Sequence, residues 1–275
     1  MEHPLYEVYL WNDTYVSTEE SESLRPIQDE AIYEVLRMEE GIPLFYAPHY
    51  ARLCRSAERV GRPLPYDDGM VRHQLWALRE MNSIKNSNVK MLWARGKDKD
   101  HFVVYASPVR ELSDTERQEG CKTSLYPLER KNPNVKLQKD AYRETTSRII
   151  QERDVFELLL TDEQDGIREA SRANLFIIQN GAIHTAPDAS VLMGITRMQV
   201  MQSIRERGYK LVEEPVPVQA LPQVEAAFLT GTSIDVLPIK SIDGQILPSA
   251  EHPIVQTLQK DYLKRVEEDK KAFRW

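Results

Sequence analysis

The chain has 275 residues, enough for two modest domains with buried cores, and its 41% hydrophobic and 29% charged residues match an ordinary globular protein. No apolar run approaches the roughly 20 residues that a membrane span needs, and the opening MEHPLYEVYLWND has neither the basic start nor the apolar stretch of a signal peptide, so a cytoplasmic enzyme is expected. A formal net charge of -7 argues against a general nucleic-acid surface, which would need an excess of Lys and Arg.

The stretch from Ser17 to Arg25 is acidic and serine-rich and reads as a loop. Ile32 to Arg37 (IYEVLR) reads as a strand, and Glu39-Glu40-Gly41 as a turn into Ile42 to Tyr46. Pro48 to Val60 is expected to be a helix with an apolar stripe of Leu53, Ala57 and Val60. Arg52 falls on its other side with Arg55, Ser56 and Arg59, and a charge run of this kind is ordinarily solvated. Val71 to Met81 reads as a second helix, and Val89 to Ala94 and Phe102 to Ala106 as strands either side of Arg95-Gly96-Lys97. Residues 1–107 thus make a small α+β domain, and the polar, charged residues 108–120 an inter-domain linker.

Residues 121–275 form a larger domain that also mixes sheet and helix. Lys122 to Tyr126 reads as a strand and Asp140 to Arg153 as a helix. Phe156 to Thr161, Ile167 to Glu169, Leu175 to Gln179 and Ala182 to Thr185 read as short strands of an antiparallel meander, with Asp165-Gly166 and Asn180-Gly181 as its tight turns. A helix from Ile195 to Arg207 stops at Gly208. Strands over Lys210 to Val218 and Ala226 to Leu229 follow, and a helix over Ile254 to Lys271 closes the chain.

Cys54 and Cys121 have no metal-like or redox-like spacing, and the six histidines form no HExxH, so metal chemistry lacks candidates. No glycine cluster of the Rossmann or P-loop kind is present. What does appear is an ordered set of short strings: NVK ending at Lys136, IREASRANLF from Ile167 to Phe176, GITR from Gly194 to Arg197, and TGTS from Thr230 to Ser233. Lys136 follows the turn-forming Asn132-Pro133-Asn134, which places it off a solvated helix face, with Lys131 and Lys139 as local competitors. Such an amine can hold an aldehyde as a Schiff base. Glu169, amid Ser171, Arg172 and Asn174, can face a pyridine nitrogen and keep it protonated. Gly194-Ile195-Thr196 opens a helix whose exposed N–H groups suit a phosphate, and Thr230 to Ser233 can add hydroxyl donors. Each string alone also reads as an ordinary surface lysine, edge glutamate or turn; the ordered set together fits a pyridoxal 5'-phosphate (PLP) enzyme.

From about Ile32 to Asp243, through YEVLR, PHYARLCRSAERVG, NVK, IREASRANLF, GITR and FLTGTSIDVLPI, the chain resembles the class IV, or fold-type IV, PLP-dependent enzymes. These are branched-chain aminotransferases, D-amino-acid transaminases and 4-amino-4-deoxychorismate lyases. The resemblance implies a two-domain homodimer. In it Lys136 carries the cofactor and shuttles the substrate proton, while Glu169 holds the pyridine nitrogen. Arg52, Ile195, Thr196 and Thr232, with Asn174 beside them, would bind the cofactor, and Tyr33 and Ser233 would line the substrate pocket.

The chain departs from the family at three places. Gln28-Asp29-Glu30-Ala31 replaces the usual GDG before the first core strand, Lys97-Asp98-Lys99-Asp100-His101 lacks the Arg-x-His of D-amino-acid transaminases, and Tyr142 only approximates the tyrosine expected after the Schiff-base lysine. The expected activity is amino-group transfer between an amino acid and a 2-oxo acid. A pyruvate-eliminating lyase and a catalytically silent scaffold are the alternatives.

Overall fold

The computed structural model describes residues 3–19, 24, 27, 30–130 and 133–275. Most of the acidic stretch before the first core strand, Gln28, Asp29, Lys131 and Asn132 lie outside the described residues. The chain divides into two units, and neither is a single run of sequence. Unit 1 comprises Met1–Arg110, Val135–Ala141 and Val266–Trp275, and unit 2 comprises Glu111–Asn134 and Tyr142–Arg265. A continuous 121–275 domain, as expected from sequence, therefore gives up two segments to unit 1.

Unit 1 is a six-stranded antiparallel sheet in the order β2-β1-β6-β5-β3-β4. Its strands are β1 (Val8–Trp11), β2 (Thr14–Ser17), β3 (Ile32–Glu39), β4 (Ile42–Pro43), β5 (Ser87–Arg95) and β6 (Asp100–Ser107). The opening β1–β2 hairpin has no counterpart among the predicted elements; Asn12 and Asp13 turn it with φ of 47° and 65°, values that Asn and Asp tolerate. Helices α1 (Tyr46–Arg59) and α2 (Asp68–Asn82) cover one face. Leu53 and Ala57 of α1 and Val71, Leu75 and Leu78 of α2 bury there with Ile32, Leu36, Val89, Met91 and Trp93. On the opposite face Tyr33 packs with Tyr9, Leu92, Val103 and Tyr105. Strand alternation thus sends Tyr33 and Glu34 to different sides of β3.

The stretch read as a linker is not a plain coil. Ser113 and Glu116 cap each other's backbone N–H groups and wind Asp114–Glu119 into a short helix, α3. Unit 2 then contains β7 (Cys121–Pro127), α4 (Asp140–Arg153, whose first two residues belong to unit 1), β8 (Glu157–Thr161), β9 (Gly166–Ala170), β10 (Asn174–Gln179), β11 (Ala182–His184), α5 (Ile195–Glu206), β12 (Leu211–Val212), β13 (Val216–Pro217), β14 (Ala226–Gly231), β15 (Asp235–Ile242), β16 (Gln245–Ile246) and α6 (Pro253–Ala272).

The expected simple meander is corrected here. β10 meets β9 only at Asn174 and Glu169 and then runs along β14. The pairings β10-β14-β15-β7-β8-β9, closed by that single contact, make a ring of strands. Leu159, Leu175, Ile177, Ala227, Leu229, Leu237 and Ile239 share one buried core. Ile149 of α4 packs with Leu158 and Leu160 on the other side of β8. The expected strand over Lys210 to Val218 is two separate two-residue pairings, because Glu213-Glu214-Pro215 interrupts it and proline removes a ladder donor.

Candidate active site

Lys136 lies on a short extended segment beside β3. Tyr33 N donates to Lys136 O at 2.9 Å, Gln138 N to Ala31 O at 2.8 Å, and Leu137 pairs with Ile32 as an isolated bridge. Ser56 Oγ accepts from Lys136 N at 3.4 Å. The side chain is half-buried, with Nζ 4.7 Å from the centroid of the Tyr33 ring. Tyr33, expected at a substrate pocket, is therefore a neighbour of the lysine itself.

The expected solvated face of α1 is corrected for Arg52. Arg55 and Arg59 are exposed, but Arg52 and Ser56 are buried. The reason is Glu34, fully buried on β3. Arg52 Nε donates to its Oε2 at 2.8 Å, Arg52 Nη2 reaches Oε1, and His49 Nδ1 lies 3.1 Å from Oε1. Burial alone would raise the Glu34 carboxyl, but Arg52 and then His49 outweigh it and hold the group far below the usual carboxylate range. Burial pushes His49 below the usual histidine range against the pull of Glu34, with the charges of Arg52 and Lys136 adding to that push.

Unit 2 gathers the remaining expected residues by strand pairing. Asn174 lies opposite Glu169 on one side and Thr230 on the other. Its side-chain amide donates to Leu192 O at 2.8 Å, which ties the loop ahead of α5 to the same place. That bond explains Gly194: a Cβ built there would sit 2.0 Å from Asn174 Oδ1. Gly194→Ala should push Asn174 off Leu192. Losing that buried hydrogen bond costs about 1–3 kcal/mol, so PLP affinity measured by fluorescence titration is expected to fall roughly 10- to 100-fold. Unchanged affinity would show that the loop does not depend on this contact.

Helix α5 starts at Gly194 with no side-chain cap, which leaves the first-turn N–H groups of Ile195 and Thr196 for a ligand. Arg197 is fully buried and braces the approach, donating to Ala186 O at 2.9 Å and pairing with Asp188. Thr230 Oγ1 is buried with no hydrogen-bond partner among the described residues. Thr232 and Ser233 form the turn that follows, half-buried, with Ile234 N donating to Gly231 O at 3.2 Å.

Glu169 is 4% exposed, and Arg130 Nη1 lies 3.7 Å from its Oε1. The Arg130 guanidinium carbon is 5.7 Å from the centroid of the Tyr142 ring, whose hydroxyl donates to Ser171 O at 3.0 Å. A small cleft lies here, lined by Leu128, Arg130, Leu160, Thr161 and Glu169 among others. Glu34 and Arg130 have no place among the sequence candidates, whereas the buried hydroxyl of Thr230 lies in the Thr230 to Ser233 string named there. Arg130 lies close enough to Lys136 in sequence that the charge pattern could have flagged it, whereas Glu34 was hidden inside an apparently ordinary strand.

Residues 31–242 match the family model described as amino-transferase class IV. The chain belongs to that family. A protein named D-alanine aminotransferase from Bacillus licheniformis is 28% identical over 244 residues, 84% of this chain and 85% of that one. A branched-chain aminotransferase from Thermoproteus uzoniensis, solved with norvaline, shares the fold with a TM-score of 0.83 at 20% identity, covering 97% of both chains. A branched-chain aminotransferase from Thermobaculum terrenum in its PLP form has a TM-score of 0.82 at 20% identity and covers 98% of this chain and 96% of its own. Class IV aminotransferases of both substrate names are thus similar to this chain along most of its length.

Proposed function

We propose that this class IV aminotransferase carries PLP on Lys136 and moves an amino group from an amino acid to a 2-oxo acid. The observation that carries the reading is the Lys136 amine, held off any helix by backbone bonds to β3 and half-buried against Tyr33. The donor set of unit 2 fits the cofactor on its own terms. Uncapped N–H groups at the start of α5 and the unpartnered Thr230 hydroxyl suit a phosphate dianion, and the buried Glu169 carboxylate suits a ring nitrogen.

When bound, PLP supplies the carbon that takes up the amino group and a ring that accepts the electron pair left as the Cα proton departs. The chain supplies the rest. Lys136 Nζ would hold the cofactor and, as a free amine, would move the substrate Cα proton. Glu169 would hold the pyridine nitrogen, and Arg130 Nη1 lies 3.7 Å from its Oε1. Ile195 and Thr196 donate through backbone N–H and Thr232 through its hydroxyl, while Asn174 fixes the loop that presents them. Arg52, its charge balanced by Glu34, would approach the cofactor from α1, and Tyr33 and Ser233 would border the substrate.

We further propose a cytoplasmic homodimer. Met70, Trp76 and Met81 of α2 are exposed apolar side chains that a second subunit would cover, and neither Cys54 nor Cys121 is in a disulfide. No helix among the described residues is long and apolar enough to cross a membrane.

Borohydride reduction of the PLP-loaded protein followed by peptide mapping should place a pyridoxyl adduct on Lys136. An adduct on Lys131 or Lys139 would overturn the assignment and leave the family intact. Turnover should require an added 2-oxo acid; pyruvate release from aminodeoxychorismate without an acceptor would favour the lyase alternative.

A further inference from the structure

Between β11 and α5 runs a segment, residues 185–194, that belongs to no helix or strand. Its first residue is tied back to the sheet, Thr185 N donating to Val212 O at 3.0 Å and Thr185 Oγ1 to Leu175 O at 2.8 Å. Farther on, the backbone bonds itself at a turn, where Ser190 N donates to Pro187 O at 2.9 Å. The carbonyls of residues 186, 189 and 192 are instead taken by side chains from three different places. Arg197 Nη2 of α5 donates to Ala186 O at 2.9 Å, Asn134 Nδ2 to Ala189 O at 2.8 Å, and Asn174 Nδ2 of β10 to Leu192 O at 2.8 Å. The segment meets the candidate site twice. Ser190 lines the cleft that holds Glu169, and Gly194 leads into α5, whose first N–H groups face the phosphate in the proposed function.

Arg197 differs from the two asparagines in carrying a charge. It is fully buried, and it stands at the third residue of α5, where the positive end of the helix dipole disfavours a cation. A buried guanidinium without a counter-charge is costly. Among the described residues its counter-charge is Asp188, which pairs with Nη1, while Nε lies 3.5 Å from Thr185 Oγ1. The Asp188 side chain is 47% exposed, so burial does not hold it in place; the ion pair does. That pair closes the loop onto the first turn of the helix it precedes.

We propose that Asp188 is a positioning residue for the phosphate end of the site: by holding Arg197 against Thr185 and Ala186 it fixes the loop that leads into Gly194, and with it the aim of the Ile195 and Thr196 N–H groups. The inference rests on the reading that places the PLP phosphate at the start of α5. Its sign sets it apart from a bare charge effect. A carboxylate left free beside a phosphate repels it, so removing that charge would tighten PLP binding. A carboxylate that holds Arg197 in place does the reverse, and removing it weakens PLP binding.

The test compares full-length apoenzymes of the wild type, Asp188→Asn, Asp188→Glu, Arg197→Met and the Asp188→Asn/Arg197→Met double variant. Fluorescence titration reads the affinity of each for PLP and for pyridoxal, which lacks the phosphate. Asp188→Asn should weaken PLP about tenfold, the worth of one charge-assisted hydrogen bond, and leave pyridoxal within about twofold, so the preference for PLP falls. Asp188→Glu should recover most of that preference, because the charge returns. The double variant should lose no more than Arg197→Met alone, since Asp188 acts through the guanidinium. If Arg197→Met fails to fold, the preferences of Asp188→Asn and Asp188→Glu decide. A preference for PLP in Asp188→Asn that equals or exceeds the wild type's, an equal loss for PLP and pyridoxal, or losses that multiply in the double variant would overturn the proposal. A wild type that binds pyridoxal as tightly as PLP would instead refute the phosphate placement on which it rests.

Discussion

Replacing Lys136 by alanine is expected to lower kcat on the order of 10⁴-fold or more and to abolish borohydride-stable labelling, while Lys139→Ala keeps most of the wild-type rate. The size follows from the proposed double use of one amine, as the covalent holder of PLP and as the base that moves the Cα proton. Removing it withdraws both contributions together, so the loss exceeds that of an ordinary acid–base residue. Thermal denaturation of the apoenzyme should change little, because the side chain is only half-buried. A Lys136→Ala enzyme that keeps even a tenth of the wild-type kcat would eliminate this lysine as the cofactor's anchor.

The second large effect is on stability. Glu34→Gln keeps the shape of the buried side chain but removes the charge that balances Arg52. Stranding a buried guanidinium in this way costs about 3–5 kcal/mol, a drop in Tm of roughly 10 °C for a chain of this size. The pH dependence has a definite sign. Glu34 titrates far lower in the folded chain than in the unfolded one, so its contribution is complete above the ordinary glutamate range and is lost as pH falls well beneath it. His49 acts the same way, since below the ordinary histidine range the unfolded chain binds a proton that the buried imidazole resists. The wild type should therefore lose Tm steadily on acidification, and Glu34→Gln should show a shallower slope through the carboxylate range. Equal slopes in the two proteins would mean that Glu34 is not linked to folding as the geometry requires.

Local rules carried much of this fold. Leu53 and Ala57 on α1, the turn at Asn180 and Gly181 with φ of 50° and 67°, and the stop at Gly208 with φ of 70° are written in short windows of sequence. What was not legible depends on distant partners. Arg52 reads as a solvated charge until Glu34, remote in sequence, is seen beneath it. Lys90 reads as one more strand residue until Gln138 reaches it from another segment. The strand ring is invisible locally, because β10 leaves its sequence neighbour β9 after a single pair to join β14. For the candidate site the motif order named Lys136, Glu169, Asn174 and the start of α5. Arg130 surfaced only with the geometry, and Arg197 and Thr230, although inside the GITR and TGTS strings, are seen as a buried brace and a buried hydroxyl only in the fold.

The distribution of unit 1 over three stretches bears on how the molecule is made. Phe273 packs into the cluster beneath α1, Asp269 Oδ2 accepts from Phe45 N at 2.6 Å, and Lys270 bonds Glu40 at 2.9 Å. Asp269 comes 224 positions after Phe45, so during synthesis the unit 1 sheet waits through the whole of unit 2 with the N-terminal end of α1 uncovered. The nascent chain therefore completes unit 1 only after the residues of unit 2 have been made, and a chain lacking residues 266–275 would leave that earlier unit, rather than the later one, incomplete.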